Sequence, residues 1–360
     1  MLNDLENLMQ WFARSKRDLP WRRTRDPYAI WVSEIMLQQT QVSTVIPFYD
    51  RFLEAFPTVG DLAAARLQDV LKIWEGLGYY ARARNLHKAA KIVVEKFGGH
   101  FPHRLQEVLE LPGVGRYTAG AILSIAFNDP IPILDGNVAR VLSRFFLFEE
   151  PINAHGAKEK LWQMASNILP PKNPGQFNQA LMELGALLCT PQNPFCEACP
   201  LRESCLARAN NRENDIPIKI RKRRVPHVNV SAAVIWKDGK ILITLRPTDK
   251  MLGGLWEFPG GKCEKEESFS ECVLREINEE LGIEVEVTEH FMDLKHAYSH
   301  FKMTLHMFHC RYVSGEPVLN GVDAFQWVSP ERLLELPFPA ADGKVIREIL
   351  RQSSVSNRSM

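Results

Sequence analysis

Four of the seven cysteines fall in one short stretch, "CTPQNPFCEACPLRESC", as Cys189, Cys196, Cys199 and Cys205. Their spacing is C-x6-C-x2-C-x5-C, whereas zinc sites more often pair two C-x2-C knuckles across a longer span. Here four thiolates wrap one object within a loop stiffened by Pro191, Pro194 and Pro200. A cubane [4Fe–4S] cluster needs four such ligands, and zinc is the alternative. Cys263, Cys272 and Cys310 stand alone and read as small core residues.

Three groups of carboxylates also have spacings that can do chemistry. Glu34 lies in "WVSEIMLQQTQV" among Ile30, Trp31, Ile35, Met36 and Leu37. A glutamate in an apolar pocket has a raised pKa and can donate a proton near neutral pH. Asp135, in "LDGN" ahead of the helical run "VARVLSRFFL", is a good N-cap. Beside a sugar, the same carboxylate can stabilise an oxocarbenium ion. The third group lies in "GGKCEKEESFSECVLREINEELGI", which reads G-x5-E-x7-R-E-U-x-E-E-x-G-U. Gly261, Glu267, Arg275, Glu276, Glu279, Glu280 and Gly282 fill the fixed positions of a Nudix box. Glu276, Glu279 and Glu280 share one helix face, a set that can hold Mg2+.

These groups need elements to position them. Leu5, Leu8, Met9 and Phe12 recur at helical spacing, as do Val70, Leu71, Ile73, Trp74 and Leu77. "LPGVGRYTAG" is a helix, a tight turn and a second helix. The Gly113 and Gly115 turn exposes backbone N–H groups near a helix N-terminus, where a phosphate can be held. "ENDIPIKIRKRRVPH" (213–227) reads as a linker, with Pro217 and Pro226 bracketing a basic run of Lys219 and Arg221 to Arg224. Beyond it the period drops to two: "VNVSAAVIWKDGKILITLR" is a pair of strands about "KDGK". A charged helix (268–281) follows, then the strands "IEVEVTEH" and "KMTLHMFHCRYV".

The fold class is therefore multidomain. An all-α domain (1–212) carries the helix–hairpin–helix (107–127) and the cysteine loop (189–205), and an α+β Nudix-like domain (228–360) follows the linker.

Bulk numbers bound the rest. A hydrophobic content of 45% and a charged content of 24% are those of a soluble globular chain, with no apolar run of membrane-spanning length. "MLNDLENLMQWF" is amphipathic without the basic start and cleavage site of a signal peptide, so the expected location is the cytoplasm. The net charge of +1 conceals a split. Residues 1–224 carry 29 Lys and Arg against 23 Asp and Glu, and the remainder 15 against 20. A mildly basic first half fits a polyanionic partner.

The cysteine spacing after "LPGVG", with "LDGNVARVLSR" between them, resembles the endonuclease III superfamily of DNA glycosylases over roughly residues 1–210. The resemblance implies a structural cluster beside a DNA-contacting loop, with Arg202 and Arg208 as phosphate contacts. It also implies a catalytic role for Asp135. Bifunctional members carry a lysine where this chain has Tyr117, and a phenol cannot form an imine. Monofunctional base excision is implied, with Tyr117 packed or hydrogen-bonded beside Asp135.

"WVSEIMLQQTQV", with "LPWR" before it and "GLGYYARARNL" after it, resembles the MutY-type adenine DNA glycosylases. Those remove adenine mispaired with 8-oxoguanine. By position, Glu34 is then the acid at adenine N7 and later the base for water. Gln39 is the wedge entering the stack, which offsets the cost of flipping. Thr40 and Leu77 line the 8-oxoguanine side, with Tyr79 wedging beside it. Trp21, Arg22 and Gln179 sit at the adenine pocket. "HAYSHF" (296–301) is similar to the family's Phe-Ser-His loop, with Tyr298 for phenylalanine and Ser299 and His300 as contacts.

In that family the C-terminal metal box is usually degraded, but here it is complete. The expected partner is double-stranded DNA with A:8-oxoguanine or A:G mispairs, bound by a monomer. Two alternatives stand beside this reading. One is a nucleotide pyrophosphohydrolase acting on 8-oxo-dGTP and tethered to DNA by its helical half. The other is a bifunctional glycosylase and Nudix hydrolase.

Overall fold

The structure, a computed structural model, describes residues 2–220, 226–298 and 301–356. The run 221–224 of the linker and the two expected contacts Ser299 and His300 lie outside these residues. The described chain forms two compact units. One holds the chain up to Ala63 and again from Lys88 through the cysteine loop. The other joins Ala64–His87 to the sheet-bearing C-terminal half.

Helices make up the first half: α1 (Leu2–Ser15), α2 (Pro27–Leu37), α3 (Val42–Ala55), α4 (Val59–Ala64), α5 (Leu67–Trp74) and α6 (Ala81–Phe97). The hairpin pair α7 (Leu105–Leu109) and α8 (Arg116–Phe127) follows, then α9 (Gly136–Phe145), α10 (Ala157–Asn167), α11 (Pro174–Leu187) and the short α12 (Leu206–Ala209). α2 starts where it does because the Asp26 carboxylate accepts from the N–H groups of Tyr28 and Ala29, with Pro27 in the first turn. Its sequence is apolar all round, and every residue from Tyr28 to Met36 is buried. α1, α8, α9, α10 and α11 close over a core that includes Phe12, Ala121, Leu142, Trp162 and Phe177.

In the second unit the strands are β1 (His227–Lys237), β2 (Lys240–Leu245), β3 (Trp256–Glu257), β4 (Gly260–Lys262), β5 (Glu284–Ala297), β6 (Lys302–Ser314) and β7 (Ala324–Val328). Their order is β3-β2-β1-β6-β5, with β4 on β1 and β7 on β2. Among the described residues only β1 and β6 pair in parallel, so the sheet is mixed. Residues alternate between its faces. Ala233, Ile235 and Cys310 meet α13 (Phe269–Leu281), while Val234, Leu305 and Met307 belong to the core that holds α14 (Ala340–Ser356). β5 runs past the expected "IEVEVTEH" because bulges near Val287 and His290 break its alternation without ending its pairing. α13 begins with a capping box, Ser268 and Glu271.

Candidate active site

In the helical unit, the ends of α2, α8, α9 and α11 and the "LPWR" turn enclose an open cavity of about 560 Å3. Eight of the expected site residues line it: Trp21, Arg22, Glu34, Gln39, Thr40, Tyr117, Asp135 and Gln179. Pockets of this size hold drug-sized or nucleoside-sized ligands.

Glu34 is 4% exposed. Its burial follows from the all-apolar character of α2, which leaves no solvent face for a charge. Burial pushes its carboxyl up to about 7, with Asp135 adding to the rise and the Tyr117 hydroxyl and Arg22 opposing it. Tyr117 stands in the first turn of α8, and its hydroxyl donates to Glu34 Oε2 at 2.8 Å. The phenol itself is held well above its ordinary pKa by burial and by Glu34, so it stays a donor.

Asp135 caps α9, accepting from Val138 N at 2.7 Å and from Asn137 Nδ2 at 3.0 Å. Burial raises its pKa, and those two hydrogen bonds oppose the rise. The carboxylate is therefore both cap and cavity wall.

Glu183 on α11, which no sequence motif singles out, is fully buried and lines the same cavity. Arg17 Nη2 donates to its Oε2 at 2.6 Å and Arg22 Nη2 at 2.8 Å; Arg17 N and Arg22 Nη1 reach Oε1 at 2.7 and 2.9 Å. Burial works to raise this carboxyl too, yet the bonds from Arg22 and Arg17 overcome it and hold it at about 2. Its signal was available: a lone glutamate in the apolar "FNQALMELGALLC", the same pattern that pointed to Glu34. Gln179 on the same helix donates to Gly175 O, and the Trp21 indole meets Tyr49 edge-on.

Gln39 follows α2 with a left-handed φ of 59°, an uncommon state for a residue with a side chain. Leu77 and Tyr79 belong to the other unit. At the hairpin, Gly113 has φ 80° and makes the turn possible. Gly115 is the N-cap of α8 without any side-chain cap, with open space where a Cβ would stand.

The four cysteines line a small cavity with Arg144, Phe195 and Arg208. Burial raises the Cys196, Cys199 and Cys205 thiols, Cys199 to about 12. Arg144 is 2% exposed; its guanidinium donates to Cys189 Sγ at 3.3 Å and to the carbonyls of Thr190, Pro191 and Ile216. A buried cation against these sulfurs suits an anionic thiolate cluster, so the residues fit the expected group. Arg140, one turn earlier on α9, donates to Cys189 O and Gly185 O. The sequence reading assigned neither arginine.

On α13, Arg275 Nη1 donates to Glu276 Oε1 at 2.9 Å and to Glu279 Oε2 at 3.3 Å, and its Nη2 to Glu267 at 2.8 Å. Burial pushes Glu280 up to about 7, with Glu276 adding to the rise. A side chain at Gly261 would meet the Glu276 carboxyl at 2.2 Å, so Glu276 would have to move aside for one.

Residues 32–167 match the HhH-GPD superfamily of base excision DNA repair proteins, and residues 231–348 match the NUDIX domain. The class is thus a helix–hairpin–helix glycosylase joined to a Nudix domain. Human adenine DNA glycosylase is 36% identical over 95% of this chain and 73% of its own length. The adenine DNA glycosylase of Buchnera aphidicola is 36% identical over 82% of each chain. A solved thermostable thymine-DNA glycosylase covers 57% of this chain and 95% of its own, with 31% identity and a TM-score of 0.53. The chain belongs to the adenine DNA glycosylase family and is a base-excision repair enzyme. No helix among the described residues is long and apolar enough to cross a membrane.

Proposed function

We propose that the enzyme removes adenine opposite 8-oxoguanine, and opposite guanine, by hydrolysis alone. Glu34, kept protonated near neutral pH by burial, protonates N7 of a flipped adenine. The glycosidic bond then breaks with oxocarbenium character, and ionised Asp135 stabilises or captures C1′. Glu34, now a carboxylate, activates water and leaves an abasic site. The observation that carries this reading is the Tyr117–Glu34 hydrogen bond in a cavity that also holds Asp135. Tyr117, a phenol that cannot form an imine, lines that cavity, which supports hydrolysis without strand cutting.

Around this centre, Trp21, Arg22 and Gln179 frame the adenine, Gln39 and Tyr79 wedge into the stack, and Thr40 and Leu77 face the 8-oxoguanine. Ser299 and His300 read that base from the C-terminal domain. The Gly113–Gly115 turn grips phosphate through backbone N–H groups, and Arg202 and Arg208 follow the strand beside the cysteine loop. Cys189, Cys196, Cys199 and Cys205 hold a [4Fe–4S] cluster, which when bound supplies rigidity to that loop. Glu276, Glu279 and Glu280 offer Mg2+ a weak site, for which Arg275 competes. Hydrolysis of 8-oxo-dGTP is expected to be absent or marginal. The enzyme acts as a monomer in the cytoplasm, on duplex DNA.

The test is a gel assay on A:8-oxoguanine, A:G and A:T duplexes before and after alkali. The expected result is breakage only after alkali, fastest for A:8-oxoguanine and absent for A:T. Breaks without alkali, or equal rates on A:T, would sink the proposal.

A further inference from the structure

The loop between α5 and α6 carries Leu77 and Tyr79, and its geometry is held from two sides. From within the segment, Trp74 Nε1 donates to Gly78 O at 3.0 Å, as does Arg82 Nη2. The Arg82 guanidinium also lies over the Trp74 and Tyr79 rings.

The second hold comes from the C-terminal half of the same unit. Glu75 Oε1 accepts from Phe338 N at 3.1 Å, and Lys72, paired with Glu75, donates to Leu336 O at 3.0 Å. The Tyr80 hydroxyl donates to Phe338 O at 3.1 Å and accepts from Gly76 N at 3.3 Å. Gln68 Nε2 and Arg84 Nη1 donate to Gly254 O and Gly253 O at 2.9 and 2.7 Å. Each of these partners on the C-terminal side is a backbone group. Phe338 is fully buried and Tyr80 nearly so, which makes each lost bond costly.

What the clamp holds is a strained residue. Tyr79 is 39% exposed and has φ 49°. A bulky side chain in that conformation is strained and persists only where the surroundings over-determine it.

We propose that the Nudix-like domain sets mispair preference by clamping this loop, with Glu75 and Tyr80 as positioning residues acting through Leu77 and Tyr79. The proposal rests on the reading that those two residues face the 8-oxoguanine. It adds a route distinct from any direct contact between the C-terminal domain and the base. The domain gains influence over recognition by fixing the backbone from Gly76 to Tyr80, so its own binding face need not touch DNA for the effect to appear.

The experiment uses the full-length, cluster-loaded protein with the variants Tyr80→Phe, Glu75→Ala, Glu75→Gln, Leu77→Ala and Tyr79→Ala. Single-turnover excision and duplex affinity are measured on A:8-oxoguanine and A:G, and amide hydrogen exchange is followed over residues 76–80. Tyr80→Phe and Glu75→Ala should each lower the preference for A:8-oxoguanine about tenfold while the saturated A:G rate stays within about twofold. Both should speed exchange across the loop. Glu75→Gln keeps an oxygen that can accept from Phe338 N and should recover most of the preference. Faster exchange with unchanged preference would overturn the proposal, as would changed preference with unchanged exchange, or no change in either. If Leu77→Ala and Tyr79→Ala also leave the preference intact, the reading of the loop itself falls. If they alter it while the clamp variants do not, only the clamp is wrong.

Discussion

Two buried glutamates line one cavity, and their carboxyls are shifted in opposite directions. Glu34 meets a phenol and a second carboxylate and is pushed up to about 7. Glu183 meets two guanidiniums and is held at about 2. Desolvation is the largest influence on each, so burial does not distinguish them. The neighbours do. A buried carboxyl whose hydrogen-bond donor is neutral is pushed towards its protonated form, while one gripped by two arginines is held as an anion. Under the proposed mechanism the same contrast suits Glu34 to a change of charge and Glu183 to a fixed one.

The contrast breaks most visibly if either residue is replaced. Glu34→Gln should slow adenine excision by about three orders of magnitude or more, within the range for losing a general acid, while duplex affinity changes little. Single-turnover kinetics beside a binding titration check this; near-normal excision would refute the assignment. Glu183→Ala should cost stability rather than chemistry alone. It leaves the Arg22 guanidinium buried without a counter-charge and Arg17 partly so, at roughly 3 kcal/mol, the low end for breaking a buried pair because Arg17 is one-third exposed. Denaturant unfolding measures it, and a loss below about 1 kcal/mol would mean the arginines find other partners.

Acidity sharpens the comparison. The folded pKa of Glu34 lies above its ordinary 4.5, so the folded chain binds the extra proton. Its contribution to stability is present below about 4.5 and is lost as pH rises through about 7. Glu34→Gln should therefore be more stable than the native chain at pH 8 by a few kcal/mol at most, with the gap closing by about pH 5. Glu183 runs the other way: its contribution is present above about 4.5 and is lost as pH falls toward about 2. Excision by the native enzyme should decline as pH rises through about 7, following loss of the Glu34 proton.

The smallest expected effect is that of Tyr117→Phe. It removes the hydrogen bond that draws Glu34 down, so the alkaline limb of the rate profile should move to higher pH by less than about one unit. A limb that moves the other way would mean the hydroxyl does not act on Glu34.

Much of the molecule was legible because its chemistry is local along the chain. The cysteine loop, the hairpin glycines, the Asp135 cap and the Nudix helix are each defined by residues within one or two turns of one another. The helix at 268–281 was expected within one residue of where α13 begins. Glu34 was legible through the resemblance of "WVSEIMLQQTQV" and its flanks to the glycosylase motif, because a lone glutamate in an apolar stretch can also face solvent.

What depended on distant partners was not legible. Glu183 and its arginines are 161 and 166 residues apart. "FNQALMELGALLC" therefore announces a buried glutamate but says nothing of whether it will be neutral or charged. Arg144 reads as one more helix-face arginine until the chain folds it against Cys189. The sequence also divides at a basic linker, yet Ala64–His87 packs with the C-terminal half because Glu75, Lys72 and Tyr80 find backbone partners at residues 336–338. The sequence by itself marked the main elements, the cysteine spacing and the acids that belong to local motifs. Only the tertiary structure decided the protonation state of each acid and what holds the Tyr79 loop, because both depend on charges and carbonyls that long loops of chain bring together.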